Sequence, residues 1–128
     1  MDDKIKVLLV ENDDINISVI QAYLKKDYVV TTVSIGTEAI EAVKNDLYQV
    51  ILMDINLGRG MSGVEVTRII RQMNGYETIP IIAVTAFALE GDKEEFLEAG
   101  CSHYISKPFL KSQLIELIEE AIQETTKK

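Results

Sequence analysis

A single α/β domain, with a five-stranded parallel sheet wound by helices on both faces, is the fold this sequence predicts. Three observations carry that expectation. Short apolar runs bounded by turn-forming residues recur along the chain, at Ile5 to Val10, Val50 to Met53 and Ile81 to Val84, and read as buried strands, while the β-branched and aromatic Tyr28 to Val33 and the short His103 to Ser106 read as two more strands. Stretches of helical periodicity separate them, each long enough for the crossover that parallel strands need. Polar residues fitted for chemistry then fall at the carboxyl ends of the runs, the edge at which open α/β sheets place their sites.

At 128 residues the chain fits one domain spanning 1–128, with disordered ends expected near 1–3 and 125–128. That length buries a core without staples or structural metal. An apolar fraction of 47% and a charged fraction of 27% are those of an ordinary globular protein. The apolar runs are only a few residues long, so no membrane helix is expected. The opening Met1-Asp2-Asp3-Lys4 is acidic where a secretory signal needs basic and then apolar residues. One cysteine, Cys101, allows no internal disulfide and suits a reducing compartment, so a cytoplasmic location is expected. With 21 acidic against 13 basic residues the net charge is −8, and such a field repels phosphate backbones rather than recruiting them. Neither direct nucleic-acid binding nor membrane binding is expected.

The first strand, Ile5 to Val10, ends in Glu11-Asn12-Asp13-Asp14, where Asp13 or Asp14 can cap a helix carrying Ile17, Ile20 and Leu24 at helical spacing. Tyr28 to Val33 is β-branched and aromatic, a second strand. After Ser34 and Gly36, residues Ala39, Ile40 and Val43 predict a second helix ending near Asn45-Asp46. Val50 to Met53 leads into Asp54, and the segment Leu57 to Gly63 holds three glycines in seven residues, hence a loop. Val66, Ile69, Ile70 and Met73 predict a helix with one buried stripe, stopped at Asn74-Gly75 by a left-handed cap. Pro80 opens the fourth strand, where proline is tolerated. Asp92 to Ala99 predicts a short acidic helix carrying Phe96 and Leu97 inward and closed by Gly100. The fifth strand precedes Lys107-Pro108, and a last helix buries Leu114, Leu117, Ile118, Ala121 and Ile122 before fraying from Thr125.

Asp54 alone supports two readings, a turn former or a chemical group at a strand end. The other strands decide between them. Glu11 and Asn12, Asp54, Thr85, and Lys107 follow strands one, three, four and five, so a parallel sheet brings them to one edge. Carboxylates clustered there repel one another unless a hard cation or a proton relieves them, and magnesium prefers a few carboxylates with waters and phosphate oxygens. Lys107 adds a fixed positive charge and Thr85 a hydroxyl. The set describes phosphoryl transfer, with Asp54 as the nucleophile that forms an acyl phosphate.

The motifs Val10-Glu11-Asn12-Asp13-Asp14, Ile51-Leu52-Met53-Asp54-Ile55-Asn56, Ala83-Val84-Thr85-Ala86 and Tyr104-Ile105-Ser106-Lys107-Pro108-Phe109, in this order, resemble the response-regulator receiver domains of two-component signalling over nearly the whole chain. The resemblance implies the flavodoxin-like (βα)5 fold with strand order 2-1-3-4-5. It implies Asp54 as acceptor of a phosphoryl group from a histidine kinase or histidine phosphotransfer protein. Mg2+ is implied near Glu11, Asn12, Asp54 and the Asn56 backbone carbonyl, with Asp13 a further candidate. Lys107 would grip the phosphoryl group ahead of a cis Lys107–Pro108 bond, Thr85 would move to it on activation, and Tyr104 would swing in behind. The same resemblance implies an output surface made by the fourth helix, fifth strand and fifth helix, docking a downstream effector. The acidic runs Glu90 to Glu98 and Glu116 to Glu124 then read either as solvated helix faces or as part of that surface. Ala86 and Phe87 neighbour the phosphate position, and Phe87 reads equally as a shield against water or as surface packing. Tyr104 has a second reading as a half-buried strand aromatic, and His103, at the start of its strand, reads as solvent-facing structure.

The chain departs from the family pattern in two places. Asn12 stands where a second carboxylate is usual, so weaker magnesium binding is expected. The loop Leu57 to Gly63 lacks the usual proline and is one residue longer. Two other functions stay open at this level: an aspartyl-phosphate phosphatase of similar fold, although Asn56 stands where such enzymes carry a second acid, and a receiver that works without phosphorylation, suggested by Asn12.

Overall fold

The computed structural model describes residues 4–58, 60–86 and 90–126. Ten elements alternate along the chain: β1 Ile5–Val10, α1 Asp14–Leu24, β2 Tyr28–Val33, α2 Gly36–Asn45, β3 Val50–Asp54, α3 Gly63–Arg71, β4 Ile81–Thr85, α4 Glu90–Ala99, β5 His103–Ser106 and α5 Lys111–Thr126. All the strand pairs are parallel, and the sheet order is β2-β1-β3-β4-β5, the expected flavodoxin-like arrangement.

Side chains alternate across a strand, so each strand feeds two cores. Val7, Leu9, Val50, Leu52, Ile82 and Val84 pack with Ile20 and Leu24 of α1 and Leu114, Ile118 and Ala121 of α5. Leu8, Val10, Ile51, Met53, Ile81 and Ala83 pack on the other face with α2, α3 and α4, through Ala39, Val43, Val64, Val66, Ile70, Phe96 and Ala99. The register aligns Val10 with Met53, Met53 with Ala83 and Ala83 with Tyr104. Glu11 and Asp54 lie one step beyond that row, Thr85 two and Lys107 three, so all four gather at the sheet's carboxyl edge. β1 has neighbours on both sides, β2 and β3, so the chain reverses direction across the sheet there and a crevice opens between β1 and β3.

Helix starts follow local chemistry. Asp13 caps α1 by accepting from the Asn16 N–H at 2.9 Å. Ser62 and Glu65 form a capping box at α3. Gly63 is required by a close approach: a Cβ on it would lie 2.3 Å from the Asp54 carbonyl oxygen. Its N–H donates to the Ile55 carbonyl at 3.0 Å, fastening the loop's end beside β3.

Several sequence expectations are corrected. α3 ends at Arg71, before Asn74-Gly75, and Gly75 takes its left-handed φ of 91° in a separate turn. The buried stripe of α3 runs through Gly63, Val66, Thr67 and Ile70, with the Thr67 hydroxyl donating to the Gly63 carbonyl at 2.8 Å, so Ile69 lies at its exposed margin. In α4 the inward residues are Phe96 and Ala99; Leu97, about 100° further around the helix from Phe96, is 54% exposed. α4 starts at Glu90 rather than Asp92. α5 continues to Thr126, with the Thr125 hydroxyl donating to the Ala121 carbonyl at 3.0 Å. His103 is not simply solvent-facing: its side chain is mostly covered and lies against Glu124 of α5. No helix among the described residues is long and apolar enough to cross a membrane.

Candidate functional site

The carboxyl edge gathers Glu11, Asn12, Asp13, Asn16, Asp54, Asn56, Thr85, Ala86 and Lys107 around a cleft of about 260 Å³. β3 carries Asp54 to the cleft floor, where it is 4% exposed, and β1 delivers Glu11 beside it at 1%. Lys107 extends from the end of β5 and donates to Glu11 Oε1 at 3.0 Å, while its Nζ stands 3.6 Å from Asp54 Oδ2. Its backbone N–H donates to the Thr85 carbonyl at 2.7 Å, locking the end of β5 to the end of β4. The Lys107–Pro108 peptide is cis, as the resemblance implied.

Two carboxylates and one ammonium leave one negative charge uncompensated in a nearly dry position. Burial, a hydrogen bond with the Glu11 carboxyl and the Glu11 charge push Asp54 up to about 7, against the opposing pull of Lys107 and the Asn56 N–H. That N–H donates to Asp54 Oδ1 at 3.1 Å. A buried carboxyl pair of this kind is the donor set that a hard, oxygen-preferring cation relieves, so the residues present fit Mg2+.

Asn12 is exposed at the rim, and its Nδ2 donates to the Leu57 carbonyl at 2.8 Å. The amide nitrogen is thus committed to the β3–α3 loop, and the carbonyl oxygen is the end of the carboxamide left to face other partners. Asp13 serves two local bonds, capping α1 and donating its own N–H to Glu11 Oε2 at 3.2 Å. Tyr104 is 36% exposed, with Lys93 Nζ 4.9 Å from its ring centre. Phe87 lies outside the described residues.

Over residues 7–119 the chain matches the model of the response regulator receiver domain. It belongs to that family. The receiver is 40% identical over 125 residues to the hybrid signal transduction histidine kinase I of Dictyostelium discoideum, covering 91% of this chain but only 7% of that kinase. Against the polar-differentiation response regulator DivK of Brucella anthropi it is 36% identical over 114 residues, covering 88% of this chain and 92% of DivK. The crystal structure of the receiver domain of the Pseudomonas aeruginosa sensor histidine kinase PA1611, which has a magnesium ion coordinated in its active-site cleft, superposes with a TM-score of 0.87 at 38% identity, covering 94% of this chain and 98% of that one. As a receiver domain the chain is a phosphoacceptor of two-component signalling, a module that pairs with histidine kinases and is generally a switch rather than an enzyme.

Sequence reading missed the polar groups that frame this receiver from below. Arg71, its guanidinium partly buried, donates to the carbonyls of Gly100, Tyr76 and Ile79 at 2.7, 2.9 and 2.6 Å. The Tyr76 hydroxyl donates to the Asp46 carbonyl at 2.8 Å and accepts from the Tyr48 N–H at 3.0 Å. Their partners are backbone groups of connecting segments, 5 to 30 residues away along the chain, which no spacing rule reveals.

Proposed function

We propose that Asp54 is the phosphoacceptor of this receiver, taking a phosphoryl group from the phosphohistidine of a histidine kinase or a histidine phosphotransfer protein. The observation that carries the reading is the Asp54 carboxylate at the end of β3, buried between Glu11 and Lys107 yet opening onto the cleft. A carboxylate oxygen of Asp54 bonds to phosphorus as the phosphorus–nitrogen bond breaks, leaving an acyl phosphate on Asp54 and returning the electron pair to the imidazole.

Glu11, Asp54 and the Asn56 backbone carbonyl would hold Mg2+, with Asn12 through its amide oxygen and Asp13 as further contributors. The ion, when bound, offsets the carboxylate repulsion and the charge on the phosphoryl oxygens. Lys107 exchanges part of its contact with Glu11 for the phosphoryl group. Thr85, on the same rim, supplies a hydroxyl to that group, and Ala86 and Phe87 flank it. Movement of Thr85 makes room for Tyr104 to turn inward, and the face of α4, β5 and α5 changes its affinity for a downstream effector. A coupling of about 1–3 kcal/mol shifts that affinity roughly 5- to 150-fold.

Incubation with Mg2+ and a small phosphodonor such as acetyl phosphate, followed by intact mass measurement, tests the reading. One added phosphate is expected on the native chain and none on Asp54→Asn. Labelling that survives Asp54→Asn overturns the assignment. Sustained turnover of a phosphate ester without accumulation of the labelled chain would replace it with the phosphatase reading, and absence of labelling with the phosphorylation-independent one.

A further inference from the structure

At the opposite end of β5 from Lys107, roughly 13 Å away at about 3.3 Å per residue, a second group of ligating side chains comes together. His103, Glu120 and Glu124 place one imidazole nitrogen and two carboxylate oxygens within 4.8 Å of one another. The two glutamates are four residues apart on α5 and so share a helix face, where like charges repel. The imidazole arrives from the strand beneath them, with Nε2 2.6 Å from Glu124 Oε2.

What this contact needs depends on the imidazole's other nitrogen. His103 Nδ1 lies 2.9 Å from the Ser102 hydroxyl oxygen. That hydroxyl accepts from the Ile81 N–H at 3.2 Å and can donate to the Ile81 carbonyl at 3.3 Å. A hydroxyl has one proton: turned to the Ile81 carbonyl it leaves Ser102 accepting from Nδ1, and turned to Nδ1 it makes Ser102 the donor. In the tautomer with the hydrogen on Nδ1, the neutral ring presents a bare Nε2 lone pair to a carboxylate oxygen at 2.6 Å. Two acceptors at that separation require a cation between or beside them, either a proton or a metal ion. The Ser102 contact is also the kind of outer bond that fixes the tautomer and orientation of metal-ligating histidines.

We propose that His103, Glu120 and Glu124 form a binding site for a divalent first-row transition ion, with Zn2+ best matched, separate from the magnesium cleft. An imidazole with two carboxylates suits zinc, which takes nitrogen and oxygen ligands at roughly 2.0–2.2 Å and tolerates a water in the fourth position. Magnesium favours all-oxygen sets and is not expected to compete here. Glu120 and Glu124 are exposed, so their rotamers can close on an ion without disturbing the core. Binding joins α5 to β5 at the end remote from Asp54.

The test is calorimetric titration of Zn2+ into the tag-free chain in a millimolar excess of Mg2+, with thermal melting alongside. One Zn2+ per chain and a raised melting temperature are expected. His103→Ala and Glu124→Gln are expected to abolish both responses, and Ser102→Ala to weaken binding roughly tenfold. Glu120→Gln keeps the His103–Glu124 contact and removes a ligand, so it separates a metal site from a plain ion pair: loss of Zn2+ binding with an unchanged ion-free melting temperature is expected. Zn2+ binding unaffected by Glu120→Gln or His103→Ala, or binding lost instead in Asp54→Asn, overturns the proposal. So does the absence of binding to the native chain, which would leave a proton as the cation held there.

Discussion

Asn12 Nδ2 donates a hydrogen bond to the Leu57 carbonyl at 2.8 Å, tying the rim of β1 to the loop that follows β3. An aspartate at position 12 cannot make that bond and would set a carboxylate against a carbonyl. Asn12→Asp therefore exchanges loop anchoring for negative charge near the metal position. Its expected effects are opposite in sign: roughly tenfold tighter Mg2+ binding and about 1 kcal/mol less stability in EDTA. Magnesium titration and urea unfolding of both proteins check this, and equal magnesium affinity would remove the argument that charge at position 12 governs the site.

Asp54, pushed up to about 7 from its ordinary 3.8 by burial and Glu11, makes the metal-free fold pH-dependent. Between those two values the folded chain binds more protons at this carboxyl than the unfolded chain does. Stability in EDTA therefore falls as pH rises from about 4 to 7, by an amount on the order of a few kcal/mol. Asp54→Asn is expected to flatten that segment of the profile and to melt higher than the native chain at pH 8. Magnesium is expected to raise the native melting temperature at pH 8 and to do much less for Asp54→Asn. An unchanged pH profile in the variant would show that the cluster's repulsion is relieved in another way.

Gly63 sits where a Cβ would meet the Asp54 carbonyl oxygen at 2.3 Å and the Ile55 Cα at 2.8 Å. Both neighbours are backbone, so Gly63→Ala has to displace the end of β3 or unwind the first turn of α3. A loss of roughly 1–3 kcal/mol is expected from such overpacking, together with slower acetyl-phosphate labelling of Asp54. Urea unfolding and a labelling time course separate the two effects. Native labelling kinetics in the variant would mean that the loop, not the strand, absorbs the methyl group.

Arg71 holds three carbonyls from the end of β4's approach and the turn after α4, far from the cleft. Lysine carries the charge without the planar fork. Arg71→Lys is expected to lower stability by roughly 1–3 kcal/mol, because at least one carbonyl loses its partner, while Asp54 labelling keeps its native rate. Denaturant melts and the labelling assay on one preparation decide it.

The positions of Asp54, Glu11, Thr85 and Lys107 were legible because buried parallel strands announce themselves as apolar runs, and a residue just past such a run can only be at one edge. Helix rotation was less legible. Phe96 and Leu97 are adjacent apolar residues on a short acidic helix, and only packing against α3 and the sheet decides that Phe96 goes in and Leu97 stays out. Buried Thr67 in α3 was hidden for a related reason: its hydroxyl is satisfied by the helix's own Gly63 carbonyl, so a polar residue occupies a core-facing position at little cost. The orientation of Asn12 depended on where the Leu57 carbonyl points, which is a property of the folded loop alone.

The proposed inward turn of Tyr104 would have to break a contact that the ring makes with α4. Lys93 Nζ lies 4.9 Å from the centre of its ring, and a cation over an exposed aromatic face contributes about 0.5–1 kcal/mol. An inward-turned Tyr104 loses that contact, so the lysine biases the unphosphorylated equilibrium toward the outward ring by a factor of about 2–5. Lys93→Ala is expected to raise the inward population by that factor before any phosphorylation, and to raise effector affinity of the unmodified receiver to the same extent if the inward form is the binding-competent one. Fluorotyrosine NMR at position 104 reads the population directly, with Lys93→Arg as the control that preserves the cation. A population unmoved in Lys93→Ala would place control of the ring with Thr85 and the packing of β5, leaving Lys93 as surface charge on α4.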